Sequence, residues 1–163
     1  MALLLVISVF EAWGQASKQP QWKEYQYPDD EFAIVALSSP RIYPDPQASD
    51  IRIYHWDLGP QTVLTLRIGV RPGCWYALQK MRDSEAKNPS DVFVPGSLKD
   101  VSQSDLPGME SEQHHSGYWS VERVYCSKEK AYALTLVYPV NQARPKTADR
   151  MFISFRLLHV HSQ

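Results

Sequence analysis

Five histidines, two cysteines and a pair of glutamates two residues apart are the residues of this chain whose types first suggest chemistry. His114 and His115 are adjacent. On an extended segment neighbouring side chains leave opposite faces, so the two do not readily share one metal. His159 and His161 do share a face when extended, which suits chelation better, but terminal residues are commonly untethered. No metal site is assigned to either pair. Glu110 and Glu112 lie two apart, on one strand face. Acid–base catalysis by carboxylates needs two of them flanking a bond across a cleft, with one pKa raised by burial. Neighbours on one polar strand read more simply as a solvated face. Serines are present without a Gly-x-Ser-x-Gly elbow. Neither a phosphate-cradling Gly-rich loop nor a His-Glu-x-x-His helix occurs. Cys74 opens a helix-like stretch, where a thiolate is stabilised and becomes nucleophilic; pairing with Cys126 is the stronger account. No catalytic residue and no cofactor is assigned.

The pairing follows from where the chain is expected to reside. Ala2 to Phe10 is an apolar run, too short for a bilayer span of about 20 residues, followed by Gly14-Gln15-Ala16, a small-x-small pattern suited to signal peptidase. Residues 1–16 therefore read as a signal peptide, and 17–163 as one globular domain. No Lys or Arg precedes the apolar run; a start assigned too late, clipping a basic segment, explains that. The expectation is an exported protein, periplasmic or extracellular, with no stable membrane span. In an oxidising compartment an even pair of cysteines is bridged rather than free. A Cys74–Cys126 bridge contributes roughly 4 kcal/mol in the chain-entropy model.

Loss of residues 1–16 removes Glu11 and no base, leaving 17 acidic residues against 17 basic. With no basic cluster longer than two residues, the electrostatic footprint of a nucleic-acid binder is missing.

Along the chain, Phe32 to Leu37 is a short apolar run that fits a buried strand. Arg41 to Asp50, rich in proline, reads as an extended surface loop. Ile51–Trp56 and Val63–Val70 flank Asp57-Leu-Gly-Pro60 as a hairpin. Cys74 to Lys87 places Leu78 and Met81 at helical spacing, and Asn88-Pro89 ends that helix. Leu98–Gln103 is a largely exposed strand. Met109–His114 is polar and reads as an edge or outer-face strand.

The stretch from Tyr118 to Leu158 organises the second half. Tyr118–Cys126 and Ala131–Tyr138 form a hairpin with apolar residues on both faces, which requires cover on two sides. A second helix follows Pro145, with Thr147 as N-cap and Ala148, Met151, Phe152 and Phe155 as its apolar stripe. A period-2 reading competes from Phe155 onward. The tally is an α+β domain: a mainly antiparallel sheet of about six to seven strands flanked by two helices.

Aromatic residues remain. Trp22, Tyr25, Tyr27, Trp56, Trp75 and Trp119 bury large areas, and most of them read as core. Trp22, Tyr25 and Tyr27 are the candidate recognition surface, a platform for sugar or peptide. The pattern Trp22-x-x-Tyr25-x-Tyr27-Pro28-x-Asp30-x-Phe32, with Cys74, Cys126 and Ala148-Asp-Arg-Met-Phe-Ile-Ser-Phe155, resembles a group of small secreted bacterial proteins common in acidobacteria, which carries no assigned activity. More distantly it is similar to the PsbP fold, that of an extrinsic, non-enzymatic protein of photosystem II. Glu31 stands where those bacterial relatives have Gly, so a different turn is expected there. The resemblance implies an exported, non-enzymatic binding or accessory module whose partner is an envelope protein or a small ligand. An extracytoplasmic hydrolase is the alternative. Thiol titration of unfolded, unreduced protein is expected to find no free thiol, and two free thiols would sink both the bridge and the export argument.

Overall fold

The computed structural model describes residues 21–70, 74, 78–79, 83, 94, 96–103 and 106–158. The expected signal peptide, Trp75, His159 and His161 lie outside the described residues, as does most of the first expected helix. Of that helix, Cys74, Leu78, Gln79 and Asp83 are described, with helical backbone. One helix is bounded among the described residues, against the two expected.

Among the described residues ten strands form two sheets. The smaller has the order β1-β2-β10, from Lys23–Tyr27, Phe32–Ala36 and Arg156–Leu157. The larger joins β3 (Arg41–Asp45), β4 (Ala48–Gly59), β5 (Thr62–Val70), β6 (Lys99–Asp100), β7 (Gly108–His114), β8 (Tyr118–Cys126) and β9 (Lys130–Pro139). Its order is β3-β4-β5-β9-β8-β7-β6, with every pair antiparallel. The antiparallel α+β architecture is as expected.

The period of two along each strand sends alternate side chains to opposite faces. Tyr54 and Trp56 on β4, Leu64, Leu66 and Ile68 on β5, and Tyr132, Leu134 and Leu136 on β9 all point inward and are buried. Phe32, Ile34 and Ala36 of β2 meet them from the small sheet, with Ala148, Met151, Phe152 and Phe155 closing the core. The rings interlock: Phe32 stacks with Phe155 at 5.8 Å and meets Tyr54 edge-on at 4.9 Å. Among the described residues, the opposite face of the central hairpin is covered at one end, by a cluster of Cys74, Leu78, Met109, Val124 and Cys126. Cys74 and Cys126 are bonded.

The helix α1 runs Lys146–Ser154. Pro145 occupies the N-cap position, where Thr147 was expected, with no side-chain cap bond. Proline's fixed φ suits that boundary. At the other end Phe155 is extended and Arg156–Leu157 pair with β2, so the period-2 reading governs the last residues. Ser154 fastens the helix end to β2, its Oγ accepting from the Val35 N–H at 2.9 Å.

Two further expectations are corrected. Arg41–Asp50 is not a loop: β3 pairs with β4 from Arg41↔His55 to Pro44↔Arg52, with a register shift after Pro44. Proline is tolerated because β3 lies at the sheet edge, where its missing N–H breaks no ladder bond. Nor do Glu110 and Glu112 form a solvated face. Glu110 points inward and is 3% exposed. Its carboxylate accepts from Arg123 at 2.5 and 2.9 Å, and Arg144 lies 3.4 Å away. Arg144 also donates to Glu112 at 3.0 Å and to Asp149 of the helix at 2.6 Å. Both guanidiniums lie over the Phe152 ring, at 4.8 and 5.5 Å.

Burial alone pushes the Glu110 carboxyl up; the hydrogen bonds and charge of Arg123, then the charge of Arg144, outweigh it and hold the pKa below the usual glutamate value. A carboxylate depressed in the folded state adds stability above its unfolded pKa and loses it as pH falls through the folded value. Glu110→Ala is expected to cost about 3–5 kcal/mol in urea denaturation at pH 7, because it strands a buried guanidinium. A Glu110→Met, Arg123→Met double variant should recover most of that loss. Stability of the parent should fall more steeply than that of the double variant on acidification below the ordinary glutamate range.

Candidate functional site

Strand ends, not the hairpin interior, carry one of the larger openings among the described residues. A cleft of about 400 Å³ lies where β3, the start of β4, the end of β5 and the start of β9 converge. Its rim holds Ile42 (49% exposed), Tyr43 (40%) and Val70 (59%), three of the six large apolar side chains found exposed among the described residues. Ile51 and Ile68 line it deeper in. Exposed apolar residues scattered singly are ordinary; gathered around one concavity they mark a contact site.

Charges bordering the cleft are largely spoken for. Asp30 is buried and accepts from Arg52 at 2.6 Å and from the Tyr54 hydroxyl. Burial first, and then that bond to Asp30, drive the Tyr54 phenol well above its ordinary pKa. The Tyr132 hydroxyl donates to the Asp30 carbonyl at 3.2 Å. Lys130 pairs with Glu31 at 3.0 Å. Asp30 ends a short 3-10 turn over Pro28–Asp30, and Glu31 follows it in the left-handed region at φ 60°. The turn is therefore closed as a glycine would close it, with a glutamate accepting the strain.

Tyr43 belongs to a second arrangement on the outer face of the same edge. Its hydroxyl lies 3.5 Å from His55 Nδ1, and His55 Nε2 lies 3.1 Å from Asp57 Oδ1. Arg41 donates to Asp57 Oδ2 at 2.9 Å. The bond from His55, followed by the charge of Arg41, holds the Asp57 carboxyl below its usual value. An ionised Asp57 accepts from Nε2–H, which leaves Nδ1 as the acceptor facing the phenol. The chain Tyr43–His55–Asp57 thus has the form of a proton relay.

Sequence-stated candidates fall elsewhere. Trp22, Tyr25 and Tyr27 are half-buried and pack on the rim of the core. Arg150 of the helix covers the Trp22 ring at 4.2 Å, and Tyr27 stacks on Phe32 at 4.7 Å. His114 and His115 are drawn apart, His114 onto Trp119 and His115 onto Tyr118, each at 4.4 Å. No group of three potential metal ligands occurs among the described residues. Sequence reading missed the cleft and the relay because both depend on β3. Arg41-x-Tyr43 and His55-x-Asp57 each mark one strand face, but only the register of β3 on β4 sets them side by side.

No known protein family and no curated protein matches the chain in sequence. Solved structures do resemble it. The solution structure of cyanobacterial PsbP (CyanoP) from Synechocystis sp. PCC 6803 superposes with a TM-score of 0.57 at 10% identity, over 87% of this chain and 95% of that one. A crystal structure from Bacteroides thetaiotaomicron gives a TM-score of 0.50 at 10% identity, over 83% of this chain and 48% of that one. At such identity the likeness is one of fold, and the fold of this chain is PsbP-like.

Proposed function

We propose that this chain is an exported, non-enzymatic binding or accessory module of the cell envelope, and that it engages its partner at the Ile42–Tyr43–Val70 cleft. One observation carries the reading: the apolar rim gathers on a concavity where Asp30, Arg52 and Lys130 are already paired, which leaves Asp50 as the lining charge without a partner among the described residues. Such a surface favours contact by burial over chemistry by titration. Export is supported by the apolar run ahead of Gly14-Gln15-Ala16 and by the disulfide, which persists in oxidising compartments. No helix among the described residues is long and apolar enough to cross a membrane. The PsbP-like fold is compatible with an accessory role, and membership of the acidobacterial-type group of small secreted proteins is part of the same proposal. Trp22, Tyr25 and Tyr27 enter it as a secondary contact surface, through the part of each ring left to solvent.

A thermal-shift panel of sugars, lipids, metals and peptidoglycan fragments tests the cleft directly. A ligand of the native state adds about 2.7 kcal/mol at a hundredfold excess over Kd. The expected result is a shift that Val70→Asp abolishes while leaving the unliganded melting temperature unchanged. A shift that survives Val70→Asp places the site elsewhere.

The hydrolase reading has one specific support, the Tyr43–His55–Asp57 relay. Under it, a hydrolase screen shows turnover that His55→Gln abolishes and Val70→Asp spares. Absence of turnover in the parent removes that reading.

A further inference from the structure

The outer face of the large sheet holds a second cavity, of about 190 Å³, which shares only Ile51 and Gly69 with the cleft. Register builds it. Gly69, Ala131 and Ala133 form a low floor across β5 and β9, with Ile51 and Val124 as apolar walls. Gly69 is needed for the fit, since a Cβ there would meet Ile51 Cγ1 at 3.0 Å. The space equals that of about six waters at ~30 Å³ each, which is the scale of a small metabolite.

Two opposite charges border this floor. Glu122 of β8 sits across from Thr135 of β9, and Arg67 of β5 sits across from Ala133. They are near enough for the Arg67 charge to act on Glu122, yet no ion pair or hydrogen bond joins them; Arg67 donates to Asp45 instead. Glu122 has no hydrogen-bond or ion-pair partner among the described residues, and burial raises its pKa, as befits a carboxyl without a counter-ion. Directly opposite Glu122 on β7, Ser111 is 1% exposed and its Oγ has no hydrogen-bond partner. Ser111, withheld from water and left unpaired, is costly to bury, and half-buried Glu122 faces it in the same cross-strand row.

The geometry points to a binding site for a small zwitterion, an α-amino acid with an apolar side chain. Its ammonium would rest on the Glu122 carboxylate and Thr135, its carboxylate on the Arg67 guanidinium, and its side chain on the floor of Gly69, Ala131 and Ala133. A simple cation is disfavoured there by Arg67 and a simple anion by Glu122, whereas a zwitterion satisfies both without net charge. The site adjoins the cleft through Ile51 and Gly69 but does not rest on the reading given to it.

Isothermal titration of the parent protein with L-leucine, leucinamide and 4-methylpentanoate tests the assignment. L-leucine is expected to bind, and each analogue lacking one charge to bind about tenfold or more weakly, a loss of about 1.4 kcal/mol. Glu122→Gln should weaken L-leucine by a similar factor, and Ala133→Leu, which fills the floor, should abolish binding. Arg67→Met should also weaken it; because that substitution breaks the contact with Asp45, Ala133→Leu decides the matter if the Arg67 variant does not fold. Val70→Asp at the cleft should leave L-leucine affinity unchanged, which separates this site from the other. The assignment is overturned if L-leucine does not bind the parent, or if it binds Glu122→Gln and Ala133→Leu as tightly as the parent.

Discussion

A carboxylate held away from water next to a phenylalanine ring is the constraint on which this fold turns. Glu110 can remain ionised inside only because Arg123 meets it from the adjacent strand and Arg144 from the segment leading into the helix. Desolvation of such a group costs several kcal/mol, and the return depends on geometry more than on charge alone. Arg123 is fixed by its place opposite Glu110 in the β7–β8 register. Arg144 reaches on to Glu112 and Asp149, so the network fixes where α1 begins. Phe152 then lies beneath both guanidiniums, and the helix is set down on the inner face of the sheet. From there the chain has little freedom. Ser154 engages β2, Arg156 and Leu157 pair with Ala33 and Phe32, and the Leu158 N–H donates to the Glu31 carbonyl at 2.8 Å. The small sheet is closed by the helix that the ion network positions.

The two faces of the large sheet consequently differ in kind. Inward, large rings and branched chains pack into one buried core. Outward, the central strands carry Gly69, Ala131, Ala133, Thr65 and Thr135, which are too small to build a second core of their own. The disulfide from Cys126 to Cys74 holds cover over one end of this face, above Val124 and Met109. The rest has a floor without a matching lid of large side chains among the described residues. That asymmetry explains why both cavities of interest border the β4–β5–β9 region of the sheet.

Much of this was legible in the sequence. The two hairpins, β4–β5 and β8–β9, announced themselves through branched and aromatic alternation bounded by turn residues. That the Ala131–Tyr138 strand has apolar residues on both faces followed from period two alone, and the structure turns Tyr132, Leu134, Leu136 and Tyr138 inward. What failed had physical causes. Pro44 and Pro46 signalled a loop because proline lacks a donor, yet an edge strand needs donors on one side only. Glu110 read as solvated because charge normally is, and only three-dimensional proximity to two arginines from other segments reverses that expectation. Glu31 stood where the group that the sequence resembles has glycine and suggested an altered turn; the structure shows Glu31 itself in the left-handed conformation, in spite of its side chain. Glu122 offered no signal at all, since its significance comes from Arg67 two strands away.

The edges of the two sheets bear on how any partner can be held. An exposed strand edge invites another chain to add by main-chain pairing. Here β3 carries Pro44 and a register shift just after it, which interrupts the row of donors a new strand would need. At the opposite edge β6 has two residues, and β1 presents Lys23, Glu24 and Gln26 to solvent. Each edge is thus too short, too charged or too irregular for sustained addition. Any partner would therefore have to be held by side chains: the apolar rim of Ile42, Tyr43 and Val70, and the unjoined charges of Arg67 and Glu122 on the outer face. Both are surfaces that only the folded register creates, which is why the sequence was silent where function would have been written.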